Sequence, residues 1–361
     1  MLNTIDLFSG PGGITLGFKD ARDFQCLFAV ENNQQAAETF EINHLGIPVF
    51  RKDIRRIKEE EIISTLAGRK VDIVLGGPPC EGFSMAGKRN PEDKRNTLFW
   101  QMLVISKIAK VEAIMMENVP GLLSMKSGET FRNILHAFHE FGYRTSYTIL
   151  DSSDFGIPQK RKRLFIFAFK NIDPNPLVEE LDQITKSRVT CWEALSDLPS
   201  LGPGEEKKHY EKSPENNYQE DMRKNAKFLQ SHKAVNHRKY MIERFSYIKP
   251  GFGMKEAWER MPESIKPKRL YAARCRRLDP EKSSYTVTSH CLDELIHPFQ
   301  DRAITPREAA RLQSFPDNYL FTGKYVVFHS SVEQDRYEQI GDAVPPYLAK
   351  EIAIRLKTFL Q

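Results

Sequence analysis

Thr4-Ile5-Asp6-Leu7-Phe8-Ser9-Gly10-Pro11-Gly12-Gly13 is a short apolar run that breaks into a glycine-rich turn, and the residues after it, through Phe18, are spaced as a helix. A strand over residues 4–8 running into such a turn and helix lets main chain approach a nucleotide-like cofactor, with the helix N-terminus behind it. Alone the pattern is weak. The next apolar run, Cys26 to Val30, ends on Glu31, roughly 20 residues after Gly10, where an acid takes the hydroxyls of a ribose. A third crossing, Val49-Phe50-Arg51-Lys52-Asp53-Ile54, ends on Asp53, an acid suited to an adenine amino group. Both acids also fit as simple helix caps, and that reading stays open.

The alternation continues with a helix over 56–66, a strand over 71–75, helix 97–110, strand 112–116, helix 129–141 and strands 143–150 and 163–169. It predicts an α/β fold, a doubly wound, Rossmann-like sheet with helices on both faces and ligands at the carboxyl ends of the strands. At one such end stands Leu75-Gly76-Gly77-Pro78-Pro79-Cys80-Glu81-Gly82-Phe83-Ser84. Two prolines fix φ just before Cys80, and the glycines let main chain come close to a ligand. Lys88, Arg89, Lys94 and Arg95 follow, and any of them folded over the loop would lower the thiol pKa. Locally, a reactive and an inert thiol fit equally well. Strand 112–116 runs into Glu117-Asn118-Val119-Pro120-Gly121, which should set Glu117 beside Cys80 on the same rim. A carboxyl beside an apolar pocket can hold a raised pKa and donate a proton. Gln159-Lys160-Arg161-Lys162-Arg163 leads into the strand over 163–169, so at least one arginine should point at the site.

From residue 171 to 270 the periodicity fades into charge and proline, as in a second domain of loops and short elements. Basic and aromatic residues interleave at His237-Arg238-Lys239-Tyr240 and Lys266-Pro267-Lys268-Arg269-Leu270-Tyr271, followed by Arg274, Arg276 and Arg277, a mixture suited to phosphate and base contacts. Thr305-Pro306-Arg307-Glu308 is a capping box that opens a helix through Gln313. After Gly341-Asp342-Ala343-Val344-Pro345-Pro346 a last helix buries Leu348, Ile352 and Leu356, expected to return to the first domain.

The chain has 361 residues and a formal net charge of +5, enough for one large domain or a domain plus a smaller one, and mildly basic. Its five cysteines, Cys26, Cys80, Cys191, Cys275 and Cys291, are scattered and show no zinc-type pairing, so neither disulfides nor a structural metal is expected. His136 and His139 lack a third ligand nearby in sequence. There is no run for a membrane helix and no room for a signal peptide, and the expectation is a cytoplasmic, nucleoid-associated protein.

Taken together these motifs resemble the DNA cytosine-5 methyltransferases of restriction-modification type, in the family's order and over nearly the whole chain. The stretch 6–13 is similar to the family's cofactor loop, Gly77-Pro78-Pro79-Cys80 with Phe83-Ser84 to its nucleophile loop, Glu117-Asn118-Val119 to its base-binding acid and 159–163 to its arginine motif. Arg277-Leu278 through Thr286-Val287-Thr288, then Leu312-Gln313-Ser314-Phe315-Pro316, resemble the support of a recognition domain, and 339–346 the closing cofactor motif.

The resemblance implies S-adenosylmethionine as cofactor and double-stranded DNA as substrate, with the target cytosine turned out of the helix. It gives Cys80 the addition to carbon 6, Glu117 the base edge, Arg163 the base carbonyl, and Arg161 a place in the same catalytic set. Cofactor contacts would come from Asp6, Leu7, Phe8, Gly10, Gly12, Glu31, Asn32, Asp53, Ile54, Pro79, Leu98, Asp342, Ala343 and Val344, and DNA contacts from Ser84, Lys88, Arg89, Arg277, Thr286 and Thr288. Residues 1–180 with 325–361 would form the catalytic domain and 181–324 the target-recognition domain. A monomer is expected, with a separate cognate endonuclease as its counterpart. Two departures stand out: Glu81, where the family has Gln or Asn, and Asp342 in place of Asn. Methylation of transfer RNA by the same architecture is an alternative, as is a non-catalytic DNA-binding relative. A nicotinamide oxidoreductase would leave Pro79-Cys80 and Glu117-Asn118 unexplained.

Overall fold

A computed structural model describes residues 1–79, 98–271, 273–326 and 333–360. The chain divides into two compact units, the first comprising Met1–Asp151, Lys162–Thr185 and Pro346–Gln361, the second Ser152–Arg161 and Lys186–Pro345.

The first unit carries strands β1 (Leu2–Leu7), β2 (Phe24–Val30), β3 (Val49–Phe50), β4 (Ile73–Gly76), β5 (Ala113–Asn118), β6 (Arg144–Asp151) and β7 (Lys162–Phe169). Its helices are α1 (Gly13–Asp20), α2 (Gln34–Asn43), α3 (Glu59–Leu66), α4 (Leu98–Ile108), α5 (Glu129–Glu140), α6 (Asn175–Asp182) and α7 (Pro346–Leu360). The sheet order is β3-β2-β1-β4-β5-β7-β6. Strands β1 to β5 are mutually parallel, and β7 runs antiparallel to both β5 and β6. The chain steps outward from β1 through β2 to β3, then crosses to β4 and steps the other way. That reversal lies between β1 and β4, which opens a crevice at their carboxyl ends.

The central strands β1, β4, β5 and β7 are apolar because both faces are covered, whereas the edge strand β6 is polar and partly exposed. Leu7, Phe28, Val74, Ile114 and Leu164 are buried in one core with Phe99 and Leu103 of α4 and Phe138 of α5. Elsewhere in the same unit α1 and α7 approach main chain to main chain, since a side chain on Gly17 would begin 2.4 Å from Pro346 O. Helix α7 buries Leu348, Ile352 and Leu356, and Arg355 pairs with Glu180 of α6 at 2.8 Å. Where a helix was expected from residue 56, a 3-10 turn over Ile54–Arg56 precedes α3.

The second unit is built of short helices and loops around buried polar hubs. Its capping box is formed, with Thr305 Oγ1 accepting from Glu308 N at 3.2 Å and Glu308 accepting from Thr305 N at 2.7 Å. Two stretches expected in the catalytic domain belong here instead. Residues 152–161 bond within this unit, Lys160 N to Ser284 O at 2.9 Å and Ser284 N to Pro158 O at 2.9 Å. The helix Arg336–Asp342 packs on the helix Pro306–Leu312, and a side chain on Gly341 would begin 2.2 Å from the Thr288 main chain. Among the described residues no helix is long and apolar enough to cross a membrane.

Candidate active site

At the crevice, β1 ends on Leu7 and the chain turns through Phe8, in the left-handed region at φ 59°, and Gly10, at φ 53°. The turn is closed by Gly12 N on Ser9 O at 3.0 Å and is tied to its neighbouring strand by Ser9 N on Val30 O at 3.1 Å. Glu31 clasps it further: Oε2 accepts from Gly10 N at 2.8 Å and Oε1 from Asn33 N at 2.7 Å. Beneath the turn Asp6 is fully buried, with Thr15 Oγ1 donating to its Oδ2 at 2.6 Å. Burial, reinforced by the Glu31 charge and opposed by the Thr15 hydrogen bond, pushes the Asp6 carboxyl up to about 7. Phe8 and Leu98, the first residue of α4, are partly buried against the core, Asn32 is exposed and Ile54 is buried. Asp53 caps the turn that follows it, accepting from Arg55 N at 2.9 Å, and pairs with the Arg55 guanidinium, which holds its carboxyl below the usual range.

The neighbouring rim carries the acid and the arginine. Strand β5 runs on through Glu117 and Asn118, two residues beyond the expected end. Its antiparallel pairing with β7 opposes Glu117 to Phe165, and Arg163 Nε meets Glu117 Oε1 at 3.1 Å. Both side chains are largely shielded, at 16% and 13% exposure, so this ion pair is screened less than a surface pair. Glu117 Oε2 lies over Gly77, where a side chain would begin 3.0 Å away. Asn118 Nδ2 donates to Pro78 O at 2.8 Å, tying the loop after β4 to the end of β5, an anchor the sequence alone did not mark. Pro79 is exposed. Cys80, Glu81, Ser84, Lys88 and Arg89 lie outside the described residues.

Several expected site residues have other tasks. Arg161, expected in the catalytic set, is 1% exposed and donates to Val287 O at 2.7 Å, Gly341 O at 2.8 Å and Ala343 O at 3.1 Å. It clamps the segment around Ala343 and Val344, both buried in the second unit. Gln159 joins this clamp, donating to Gln313 Oε1 at 2.6 Å and accepting from Val287 N at 2.6 Å. Asp342 is exposed and accepts a long hydrogen bond from Gln334 at 3.4 Å.

Arg277, expected on DNA, is instead a buried hub that donates to Phe245 O, Ile248 O, His297 O, Gln300 O and Asp301. Five such bonds leave its guanidinium no role at a surface. The hydroxyls of Thr286 and Thr288 are likewise spent inside the unit, on Lys160 O and on Glu294, each at 2.8 Å. A basic or hydroxyl residue in a motif looks the same in sequence whether its donors face a phosphate or a carbonyl.

A sheet of this order, with a glycine turn after β1 and an acid–arginine pair at the end of β5, defines a Rossmann-like methyltransferase. Solved structures agree: a candidate DNA modification methyltransferase encoded in an E. coli prophage superposes with a TM-score of 0.76 at 26% identity, covering 100% of this chain and 99% of that one. The S. pombe Dnmt2 methyltransferase, at 20% identity and a TM-score of 0.59 over 99% of each chain, shares the fold. The family model for C-5 cytosine-specific DNA methylases matches residues 2–358, and the chain belongs to that family. It is a DNA cytosine-5 methyltransferase. Curated relatives include the type II methyltransferases M.DdeI of Desulfomicrobium norvegicum, 35% identical over 100% of this chain and 89% of the relative, and M1.HphI of Haemophilus parahaemolyticus, 34% identical over 98% and 86%.

Proposed function

We propose that this enzyme methylates carbon 5 of a flipped-out cytosine within a specific duplex sequence, using S-adenosylmethionine, with Cys80, Glu117 and Arg163 as its catalytic residues. The observation that carries the proposal is the Glu117–Arg163 pair at 3.1 Å, set beside the Gly77-Pro78-Pro79 main chain that leads into Cys80. Arg163 fixes one carboxyl oxygen of Glu117 and so orients the group toward the base. In this role Glu117 holds ring nitrogen 3 and the amino group and supplies the proton that the ring takes up as Cys80 adds.

The Cys80 thiolate bonds to carbon 6, and the displaced electron pair makes carbon 5 nucleophilic. S-adenosylmethionine, when bound, supplies the electrophilic methyl group that carbon 5 accepts. Loss of the carbon 5 proton then returns an electron pair to the ring and expels the cysteine sulfur from carbon 6 as thiolate, while the proton on ring nitrogen 3 goes back to Glu117. The turn after β1 fits the cofactor. Among the described residues, Asp6 Oδ1 and Ser9 Oγ are buried polar atoms with no hydrogen-bond partner, and beyond its chain neighbours nothing lies within 4 Å of where a side chain on Gly10 would begin. Glu31 suits ribose hydroxyls, because each carboxylate oxygen can accept more than one hydrogen bond. Phe8 would stack on the adenine, with Asp53 and Ile54 at its edge.

The second unit would read the DNA, with Lys268, Arg269, Leu270 and Tyr271 exposed in one stretch. Like the type II methyltransferases among its relatives, the enzyme would belong to a restriction-modification pair with a separate cognate endonuclease, and it would act as a monomer, because modifying one base per visit needs no symmetric partner. Conversion-based sequencing of DNA from cells expressing the intact chain or Cys80→Ala tests the proposal. The expected result is 5-methylcytosine in one short sequence context, lost with Cys80→Ala. Methylation that persists in that variant would remove Cys80 from the mechanism.

A further inference from the structure

His44 follows the last turn of α2, its main-chain N–H on Phe40 O at 2.9 Å and its ring tilted on the Phe40 ring with centroids 4.5 Å apart. It is 1% exposed. What it faces is the glycine turn after β1. A side chain on Gly12 would begin 2.5 Å from His44 Nε2 and 2.9 Å from the Phe40 ring, so the imidazole fills the space that a larger residue 12 would need. Gly12 is the N-cap of α1, at φ 99° and with no side chain of its own to hold the first turn. The turn is therefore held from two sides, by Glu31 at Gly10 and by His44 beneath Gly12. Burial and the nearby Lys19 charge lower the His44 pKa to about 4, against a hydrogen bond with the Gly12 main chain that raises it. A neutral ring acts there through shape and that hydrogen bond rather than through charge.

We infer that His44 is a positioning residue for the cofactor: it fixes the Gly12 main chain and so sets the placement of Ser9 and Gly10. The inference rests on the reading of this turn as the S-adenosylmethionine site. Its signature is a loss confined to cofactor affinity. A residue that only fills the core would instead lower thermal stability and leave the affinity of the folded enzyme alone.

The test compares the full-length enzyme with its His44→Leu, His44→Gln and Glu31→Ala variants, by calorimetric titration with S-adenosylmethionine, steady-state kinetics and thermal melting. His44→Leu is expected to raise the Kd and KM for S-adenosylmethionine about tenfold, the size of one net hydrogen bond, with kcat at saturating cofactor within about twofold. His44→Gln keeps an N–H donor and is expected to recover most of that loss. If His44→Leu does not fold, His44→Asn, whose amide is too short to reach Gly12, carries the same expectation. An unchanged Kd in the His44 variants, with melting temperatures lowered alike, overturns the inference. Glu31→Ala separates the two readings: if it weakens binding while the His44 variants do not, only the role of His44 falls, and if it also leaves Kd unchanged, the cofactor assignment of the turn falls.

Discussion

Asp6 holds its proton beneath the glycine turn, because a fully buried carboxylate helped only by Thr15 and facing the Glu31 charge would be poorly solvated. Its folded pKa of about 7 stands above the ordinary 3.8, so the folded protein holds a proton that the unfolded chain has released. Its contribution to stability is therefore complete below about pH 3.8 and is lost as pH rises toward 7. Asp6→Asn should flatten that fall: the difference between variant and wild type in urea unfolding should shift in favour of Asn between pH 5 and pH 8. A parallel pair of pH profiles would mean that Asp6 is charged throughout. At the rim, Glu117→Gln keeps the shape of the side chain and removes its charge and its proton. The expected loss is about 10²-fold or more in single-turnover rate, the usual contribution of a positioned proton donor, with cofactor binding unchanged. A full rate in this variant would take Glu117 out of the proton path.

Helix α1 begins at the glycine turn after β1 and lies against α7, so the packing of those two helices bears on that turn. Replacing glycine by alanine inside a helix ordinarily gains about 1 kcal/mol. At Gly17 the sign should reverse, because the new Cβ would stand 2.4 Å from Pro346 O and 2.6 Å from the Ala349 Cβ. Overpacking of this kind costs about 1–3 kcal/mol, and Gly17→Ala should lower the urea midpoint; a raised midpoint would show that α7 can move away freely. Elements such as these were largely legible in the sequence. Alternating apolar runs gave the strands, the stretch 6–13 its turn, and Thr305 with Glu308 a cap whose geometry is local. What was not legible is the direction of long polar side chains. Arg161 and Arg163 stand two residues apart in one basic run, yet one binds carbonyls in the second unit and the other meets Glu117 in the first. Arg277 reads as a phosphate ligand until five acceptors, contributed by residues 245 to 301, surround it. Those partners are far away in the chain, and no local pattern announces them.

For the molecule as a whole, a net charge of +5 says little about where DNA is held, since several of the second unit's cations are already paired or buried. In the second unit Arg274 faces Asp293 at 3.6 Å and Arg276 faces Glu294 at 4.0 Å, while Arg302, Arg307 and Arg311 are buried. Lys268 and Arg269 differ: both are exposed and take part in no hydrogen bond or ion pair among the described residues, and Leu270 and Tyr271 beside them are 44% and 52% exposed. Cations free of partners release counterions when they meet phosphates, and each phosphate contact steepens the salt dependence of binding by about 0.9 in log K against log salt. The double variant Lys268→Ala/Arg269→Ala should therefore bind its duplex more weakly at every salt concentration and lower that slope by about 2. Fluorescence anisotropy between 50 and 200 mM salt, roughly the range in which phosphate contacts dominate, reads both effects. Neither residue is assigned to the base or the cofactor, so kcat at saturating DNA should hold. Tyr271→Ala should leave the slope alone and instead broaden the set of methylated sequences, because an aromatic side chain can contact base edges without charge. A double variant with an unchanged slope would place the phosphate grip elsewhere in the protein, and a Tyr271→Ala enzyme with an unaltered target would move base readout to another loop.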